Sequence, residues 1–405
     1  MPAAPTLVHI ITDPMSFCLV QGQGTLMSRA GFDVHMISSP GAFAEEQCRT
    51  EGVPFHPVPM ARRIAPWADL VSLARLCGTL LRLRPRVVLA GTPKAGFLGM
   101  LAAWILRAPV RIYYLHGLPV LTARGIRRTI LRMTERIACA SATQVICVGH
   151  SMRRELVGAG LCAARKTTVL ANGSANGVDT RWFARARLAE NTRGEIRARL
   201  GIPQNALVVG FVGRMVREKG ICELHRAWRD LRDRCATAYL LLVGPREAAD
   251  PVPEGTWREL AEDPRVRVTG LDWNTPPLYA AMDLLCLPSH REGCPNVPLE
   301  AAAMELPVVA FRVPGMVDAV EDGVTGRLIE PMRVDALTDA LYAYLLDPEI
   351  RRGHGLAGRD RVVARFSRAI VWTALTSFYS SLAAECAAGT LRRDRPAANP
   401  CTETV

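Results

Sequence analysis

Short apolar runs alternate with longer helical segments from Thr6 onward, and about halfway along the chain the alternation starts again. The first set of runs is TLVHIIT (6–12), FDVHMISS (32–39), FHPVP (55–59), RVVLAGT (86–92), RIYYLHG (111–117) and QVICVGH (144–150). The second is ALVVGFVG (206–213), AYLLLVGP (238–245), VRVTG (266–270), DLLCLPS (283–289), PVVAFRV (307–313) and GRLIEP (326–331). Brief runs that are apolar throughout suit strands buried on both faces, so each set predicts a parallel, doubly wound α/β sheet. A length of 405 residues agrees with two domains. Ligands of open α/β sheets bind beyond the carboxyl ends of the strands. Two such domains facing each other leave a cleft there, so the strand-end loops are where chemistry is expected.

The helical segments are less regular. In WADLVSLARLCGTLLRL (67–83), Trp67, Leu70, Val71, Ala74, Cys77 and Leu81 share one helical face, and Leu73, Leu76, Leu80 and Leu83 widen it. That pattern predicts a largely buried helix. AGFLGMLAAWIL (95–106) is the longest apolar run; it is too short to span a bilayer and reads as another buried helix. The first residues have no basic stretch before the apolar one and read as a first strand, not a signal peptide. Twelve scattered cysteines form no C-x-x-C pair, disulfide framework or zinc pattern, which fits reduced thiols in the cytosol. The formal charge is +12, and Ala61 to Arg136 holds fourteen Lys/Arg against two acids, which equals the whole excess. Such a segment suits an anionic partner, with a solvated arginine-rich surface as the plainer alternative. It lacks interleaved aromatics and any nucleic-acid module, so no nucleic-acid partner is expected.

Two strand-end loops stand out. GFVGRMVREKG (210–220) places Arg214, Arg217 and Lys219 between a strand and a helix opening at Gly220, which is a phosphate-binding arrangement. It matches neither a P-loop nor a dinucleotide fingerprint. EGCPNVPLE (292–300) follows the strand DLLCLPS and carries a glutamate at each end. Ordinary capping would put Asn296 at the helix N-cap, Pro298 in the first turn and Glu300 near the positive end of the dipole. That reading leaves Glu292 unexplained. Carboxylates accept paired hydrogen bonds from vicinal diols. Glu300 on a ribose and Glu292 on a hexose would bracket a diphosphate, with cations from the neighbouring loop between them.

The E-x7-E pattern resembles that of the retaining glycosyltransferases of family 4, which have the GT-B fold. Gly210 to Gly220, LPSHREGCPNVPLEAAAMELPVVAF, EDGVTGRLIEP and NGVDTRWF resemble the family's donor-side segments. TDPMSFCLVQGQ, SSPGAF, GTPKAGFLGMLAA and YYLHGLP resemble a bacterial branch that builds capsule, exopolysaccharide and O-antigen. The resemblance implies an acceptor-side domain over 1–175 and a nucleotide-sugar domain over 176–367. It also implies a helix over 368–388 crossing back to the first domain, and the polar segment 389–405 is expected to be disordered. Glu300 then matches the ribose ligand and Glu292 the donor-sugar ligand. The backbone of Gly293, Cys294, Pro295, Asn296 and Val297 would lie against sugar and diphosphate. Arg214 and Lys219 match the basic pair that stabilises the leaving diphosphate, and His116 matches a histidine near the donor sugar. Many relatives carry a Gly-Gly pair in the first loop; here Gly22 and Gly24 of DPMSFCLVQGQG read as already helical. Ser16 and Lys94 are the acceptor-side candidates.

The implied reaction moves a sugar, with a UDP-sugar favoured, to a hydroxyl of a polyprenyl-diphosphate-linked glycan with retention. The leaving phosphate helps to deprotonate the acceptor, and no metal or other cofactor is needed. The basic 61–136 region would dock the protein peripherally on the anionic inner face of the cell membrane. A nucleotide-sugar epimerase on the same fold and a non-catalytic anion-binding protein are the rival readings.

Overall fold

The apolar runs become strands because their β-branched and aromatic residues pack on both faces of a pleated sheet. A computed structural model of the chain describes residues 4–388, so the tail over 389–405 lies outside the described residues. The chain divides into two units, one of residues up to Gly177 plus the chain from Ala369 onward, the other Val178–Arg368.

In the first unit the strands are β1 (Thr6–Ile10), β2 (Asp33–Ser38), β3 (Phe55–Pro57), β4 (Val87–Gly91), β5 (Val110–Leu115), β6 (Gln144–Cys147) and β7 (Thr167–Thr168). They form one parallel sheet in the order β3-β2-β1-β4-β5-β6-β7. The helices between them are α1 (Gln23–Arg29), α2 (Ala42–Glu51), α3 (Pro66–Leu83), α4 (Pro93–Ile105), α5 (Gly125–Ser141) and α6 (His150–Gly158). The order reverses between β1 and β4. Right-handed crossovers therefore put α3, α4 and α5 on the face opposite α1 and α2. Within that layer α4 packs against both α3 and α5.

The face expected to bury α3 is the one it exposes. Trp67 is 83% exposed, and Leu70, Val71, Ala74 and Leu81 also face solvent, while Ser72, Leu76, Thr79 and Leu80 are buried. Periodicity identifies two apolar faces on this helix and cannot say which one meets the sheet. The inner face wins through Ser72, whose hydroxyl donates to the Pro59 carbonyl at 2.6 Å, and through Leu76 and Leu80 against the sheet. Helix α4 is buried over most of its length, but Trp104 and Ile105 at its end are exposed. Gly22, read as helical, sits at φ 86° as the left-handed cap before α1 and lies against the Trp372 ring. Trp372 Nε1 donates to Asn176 Oδ1 at 2.7 Å, and Gln23 Nε2 donates to the same oxygen at 3.0 Å.

The second unit holds β8 (Leu207–Val212), β9 (Ala238–Val243), β10 (Val266–Gly270), β11 (Leu284–Leu287), β12 (Val308–Phe311) and β13 (Gly326–Ile329). The sheet is again parallel, in the order β10-β9-β8-β11-β12-β13, with its reversal between β8 and β11. Its helices are α7 (Thr192–Arg199), α8 (Ile221–Arg234), α9 (Glu254–Glu262), α10 (Pro276–Ala281), α11 (Asn296–Ala303), α12 (Met316–Ala319), α13 (Val334–Leu346) and α14 (Pro348–Arg365). Helix α15 (Arg368–Ala387) then carries the chain into the first unit.

One buried charge ties α7 to this sheet. Arg197 is fully buried. Its guanidinium donates to the Ala281, Gln204 and Ala206 carbonyls and to Asp283 Oδ2 at 2.9 Å. Asp283 also accepts from the Val208 amide at 2.7 Å, at the start of β8. Five fixed donors suit this role better than an ammonium would. Arg197→Ala leaves Asp283 short of a partner and opens a cavity, so it should lower the unfolding free energy by about 3–5 kcal/mol. Urea denaturation of the variant checks this, and a loss under about 1 kcal/mol would contradict a structural role for the pair.

Candidate functional site

The reversal between β8 and β11 separates the loops that follow those two strands, and such a reversal is where open α/β sheets bind ligands. The loop after β8 runs over Gly213–Gly220 and includes a short 3-10 turn at Arg217–Lys219. The loop after β11 runs over Pro288–Pro295 and leads into α11. Both loops singled out in the sequence are therefore at the switch point of the second unit.

Two glycines let these loops touch. Gly220, at φ 78°, lies so close to the Pro288 carbonyl oxygen that a Cβ there would be 1.9 Å from it. Gly315, at φ 81° in the loop after β12, approaches the Gly293 carbonyl in the same way, at 2.2 Å. No side chain fits either place, and only glycine adopts this φ without strain. The segment 288–293 is thereby held from both sides.

Polar contacts complete the clamp. The His290 amide donates to the Glu218 carbonyl at 2.9 Å. The His290 ring pairs through Nε2 with Glu223 Oε2 at 3.0 Å, at the first turn of α8. Glu223 accepts a second bond from Arg226 at 2.7 Å. These contacts raise the His290 pKa through its bond to Glu223 and lower that of Glu223 despite burial. Arg291 pairs with Glu218. A third loop, after β9, supports the first: Asp250 Oδ2 accepts from the Glu218 amide at 2.7 Å, and its carbonyl accepts from the Arg217 amide.

The expected side chains meet within this frame. Lys219 Nζ donates to Glu292 Oε1 at 2.6 Å, with the Glu292 side chain only 8% exposed. Arg214 Nη1 donates to Glu247 Oε2 at 2.7 Å. Arg214 and Lys219 in the loop after β8 thus each have a carboxylate partner in the ligand-free protein, while Arg217 is exposed. Asn296 is the first residue of α11 rather than its cap, which is Pro295. Glu300 is accordingly one turn inside the helix, beyond the amides that a first-turn acid would meet. Its carboxylate Oε2 accepts instead from the hydroxyl of Tyr279 on α10 at 3.0 Å. Gly293, Cys294 and Val297 are partly accessible along the same edge.

The remaining expected residues belong to the first unit. His116 follows β5, its ring 4.5 Å from that of Tyr114, and burial lowers its pKa to about 4. It is therefore a neutral imidazole at pH 7. The buried His9 is lowered further, to about 3, by burial and then by His116. Lys94 is not an open cation: its ammonium contacts both oxygens of Asp69, at 2.7 and 2.5 Å, joining α4 to α3. Ser16 is partly exposed in the 3-10 turn after β1. The sequence reading missed Glu247, Asp250, Glu223, His290 and Tyr279. The first two lie in the loop after β9, the strand beside β8, and that adjacency was the available signal.

Burial pushes the Glu300 carboxyl up from its usual 4.5 to about 7, against the opposing effects of Tyr279 and Arg368. The folded state thus favours the protonated acid. That stabilising advantage is complete below the unfolded value and disappears as pH rises through about 7. Glu300→Gln keeps a neutral partner for Tyr279 and cannot ionise. Relative to it, the wild type should lose up to about 3 kcal/mol of stability between pH 4.5 and 7.5. Urea melts of both proteins across that range test this; parallel curves would mean that Glu300 titrates normally.

Comparison with known proteins gives this geometry a family. The model for glycosyl transferase 4-like domains matches residues 20–173, and that for glycosyl transferases group 1 matches 206–347. The capsular polysaccharide biosynthesis glycosyltransferase CapM of Staphylococcus aureus is 32% identical over 379 residues, covering 94% of this chain and 98% of CapM. The structure of Anabaena HepE in complex with UDP and glucose has a TM-score of 0.77 at 21% identity, covering 93% of this chain and 100% of that one. Sucrose-phosphate synthase from Thermosynechococcus elongatus has a TM-score of 0.77 at 21% identity, covering 94% and 99%. The two structural likenesses assign the GT-B fold. The chain belongs to the group 1 glycosyl transferases and is a glycosyltransferase.

Proposed function

We propose that this glycosyltransferase takes a nucleotide-sugar, with a UDP-sugar favoured, at the switch-point loops of the second unit. It transfers the sugar, with retention, to a hydroxyl of a lipid-linked glycan during synthesis of a bacterial surface polysaccharide. The observation that carries this reading is the convergence of Lys219, Glu292 and Arg214 on adjoining loops at the reversal between β8 and β11. The likeness to CapM supports the polysaccharide context, and the UDP and glucose held by HepE support the donor class.

The chemistry follows from the charges. A donor diphosphate exchanges with Glu247 for Arg214 and with Glu292 for Lys219, so each cation keeps an anionic partner throughout. Glu292, released from Lys219, then accepts from hydroxyls of the donor sugar, and Glu300 accepts from the ribose. As the glycosidic bond breaks, negative charge grows on the leaving diphosphate, where Arg214, Lys219 and nearby helix amides stabilise it. On the family resemblance, His116 serves the reacting sugar; its lowered pKa means that it does so uncharged. The leaving phosphate takes the acceptor proton. The family 4 assignment and metal independence belong to the same proposal, and transfer undiminished by EDTA would support the latter.

Thermal shift with UDP, GDP, ADP and dTDP, each beside its sugar forms, tests the donor site. A ligand at 100 times its Kd stabilises the native state by about 2.7 kcal/mol. One nucleotide should raise Tm, and Arg214→Ala and Lys219→Ala should each abolish the shift without unfolding the protein. No shift with any nucleotide, or an unchanged shift in both variants, would overturn the placement.

A further inference from the structure

Sugar transfer as derived above uses no thiol, yet the first unit gathers three in one place. Cys139 lies near the end of α5, Cys147 ends β6, and Cys162 lies in the connection from α6 to β7. All three belong to the apolar core of the unit. Cys139 and Cys147 are fully buried, and Cys162 is 9% exposed beside the exposed Ala163 and Ala164. Two of the sulfurs meet: the Cys139 thiol donates a hydrogen bond to the Cys162 sulfur. The contact is built into the backbone on both sides. Arg132 Nη2, on α5, donates to the Ala159 carbonyl at 2.7 Å. Lys166 Nζ donates to the Cys139 and Ala140 carbonyls at 2.8 and 3.2 Å. The connection that carries Cys162 is thus fastened to α5 before and after the thiol.

The two sulfurs are not equivalent. Burial raises the thiol pKa of Cys48, Cys77, Cys147, Cys222 and Cys286, so each of these stays protonated and inert. Cys162 moves the other way. The bond from Cys139 lowers its pKa, and Lys166, the Ala163 backbone and Arg165 add to that effect against burial. The same bond raises the pKa of Cys139, which keeps its proton. As a thiol, Cys162 reaches only the Ala163 carbonyl, at 3.7 Å, so ionisation gives up little. A small apolar cysteine needs neither a thiol partner nor a neighbouring ammonium to pack in a core. A nucleophilic sulfur next to a protonated one, at the edge of the core and beside cations, is the arrangement of a reactive thiol with its resolving partner.

We propose that Cys162 and Cys139 form an oxidation site for a small peroxide, with Cys162 the attacking sulfur and Cys139 the resolving one. The Cys162 thiolate attacks one peroxide oxygen and the O–O bond breaks. Cys162 becomes a sulfenic acid, and the hydroxide released takes up the proton that Cys162 lost and leaves as water. The Cys139 sulfur then attacks the Cys162 sulfur. The S–S bond forms, the S–O bond breaks, and the sulfenic oxygen leaves as a second water with the Cys139 proton. The two thiols give up two electrons and the peroxide takes them. An external dithiol reverses the step by thiol–disulfide exchange. The bridge would join the connection between α6 and β7 covalently to α5, where Arg132 and Lys166 already hold it.

The full-length wild type tests this without any substitution. Reduced protein, freed of reductant, would be treated with hydrogen peroxide, alkylated and digested under non-reducing conditions. Mass spectrometry should find the Cys139 peptide joined to the Cys162 peptide, and dithiothreitol should separate them. Cys162 should oxidise on the order of ten-fold faster than its neighbour Cys147. In Cys139→Ala the sulfenic acid at Cys162 has no resolving thiol, so dimedone should label it, whereas the wild type should bridge instead. In Cys162→Ala, Cys139 should remain a thiol. Should either variant fail to fold, the wild-type peptide map still decides. A bridge to Cys147, or oxidation of the exposed Cys18 while Cys162 stays a thiol, would overturn the proposal. Dimedone labelling of Cys139 in Cys162→Ala as strong as that of Cys162 in Cys139→Ala would overturn the assignment of the attacking sulfur.

Discussion

The arrangement of the second unit depends on two backbone approaches that exclude any side chain, Gly220 on the Pro288 carbonyl and Gly315 on the Gly293 carbonyl. Each fixes the position of a loop that no regular ladder holds. Between them lies the segment that carries Glu292, so the 2.6 Å contact to Lys219 follows from the backbone and needs no search by two long side chains. Much of the entropy that such a pair normally loses is spent when the loops form. His290 and Glu223 extend the same constraint to the first turn of α8, and Asp250 extends it to the loop after β9. The candidate site is thus built on a set of loops from four neighbouring strands, each tied to the next through main-chain atoms.

That design explains how the loop cations exist before a ligand arrives. A half-buried cation without a partner would be costly and would draw in water or neighbouring acids. Glu247 and Glu292 remove that cost in the free protein. They also set the terms for a ligand, which must offer at least as much negative charge in the same places. A diphosphate does so, and a neutral sugar alone does not. On the proposed function, selectivity for a nucleotide-linked donor over the free sugar would come from the internal ion pairs as much as from contacts to the donor.

The sheets were legible because strands buried on both faces leave an unbroken apolar signal, as in Val87–Gly91 and Leu284–Leu287. The switch-point loops could be found as well, since glycine, arginine, lysine and glutamate at strand ends are visible in one dimension. Partners were not. Nothing in the spacing says that Arg214 meets Glu247 or that Glu300 meets Tyr279, because those contacts depend on which strands lie side by side. Capping at α11 was misplaced by one residue, since Pro295 and Asn296 both suit a helix entry, and the shift carries Glu300 out of the first turn.

Helix α3 shows a deeper limit of pattern reading. Its apolar residues cover more than one face, and a helix that is apolar on several sides is expected inside a core. The sheet accepts only one of those faces. Ser72 and Thr79 are on the buried side, where Ser72 donates to the Pro59 carbonyl, and Trp67, Leu70 and Val71 are left outside. A helix that has satisfied its sheet and still shows a tryptophan 83% exposed cannot owe that residue to packing within its own unit. The charge pattern makes the same point from the other direction. Among the described residues, Arg124, Arg127 and Arg128 at the start of α5 make no ion pair, whereas Arg193, Arg197 and Arg214 in the second unit each meet a carboxylate. Composition alone would spread both features over the chain. Their coincidence on one helical layer is a property of the fold, because only the crossover order brings α3 and α5 to the same side of the sheet.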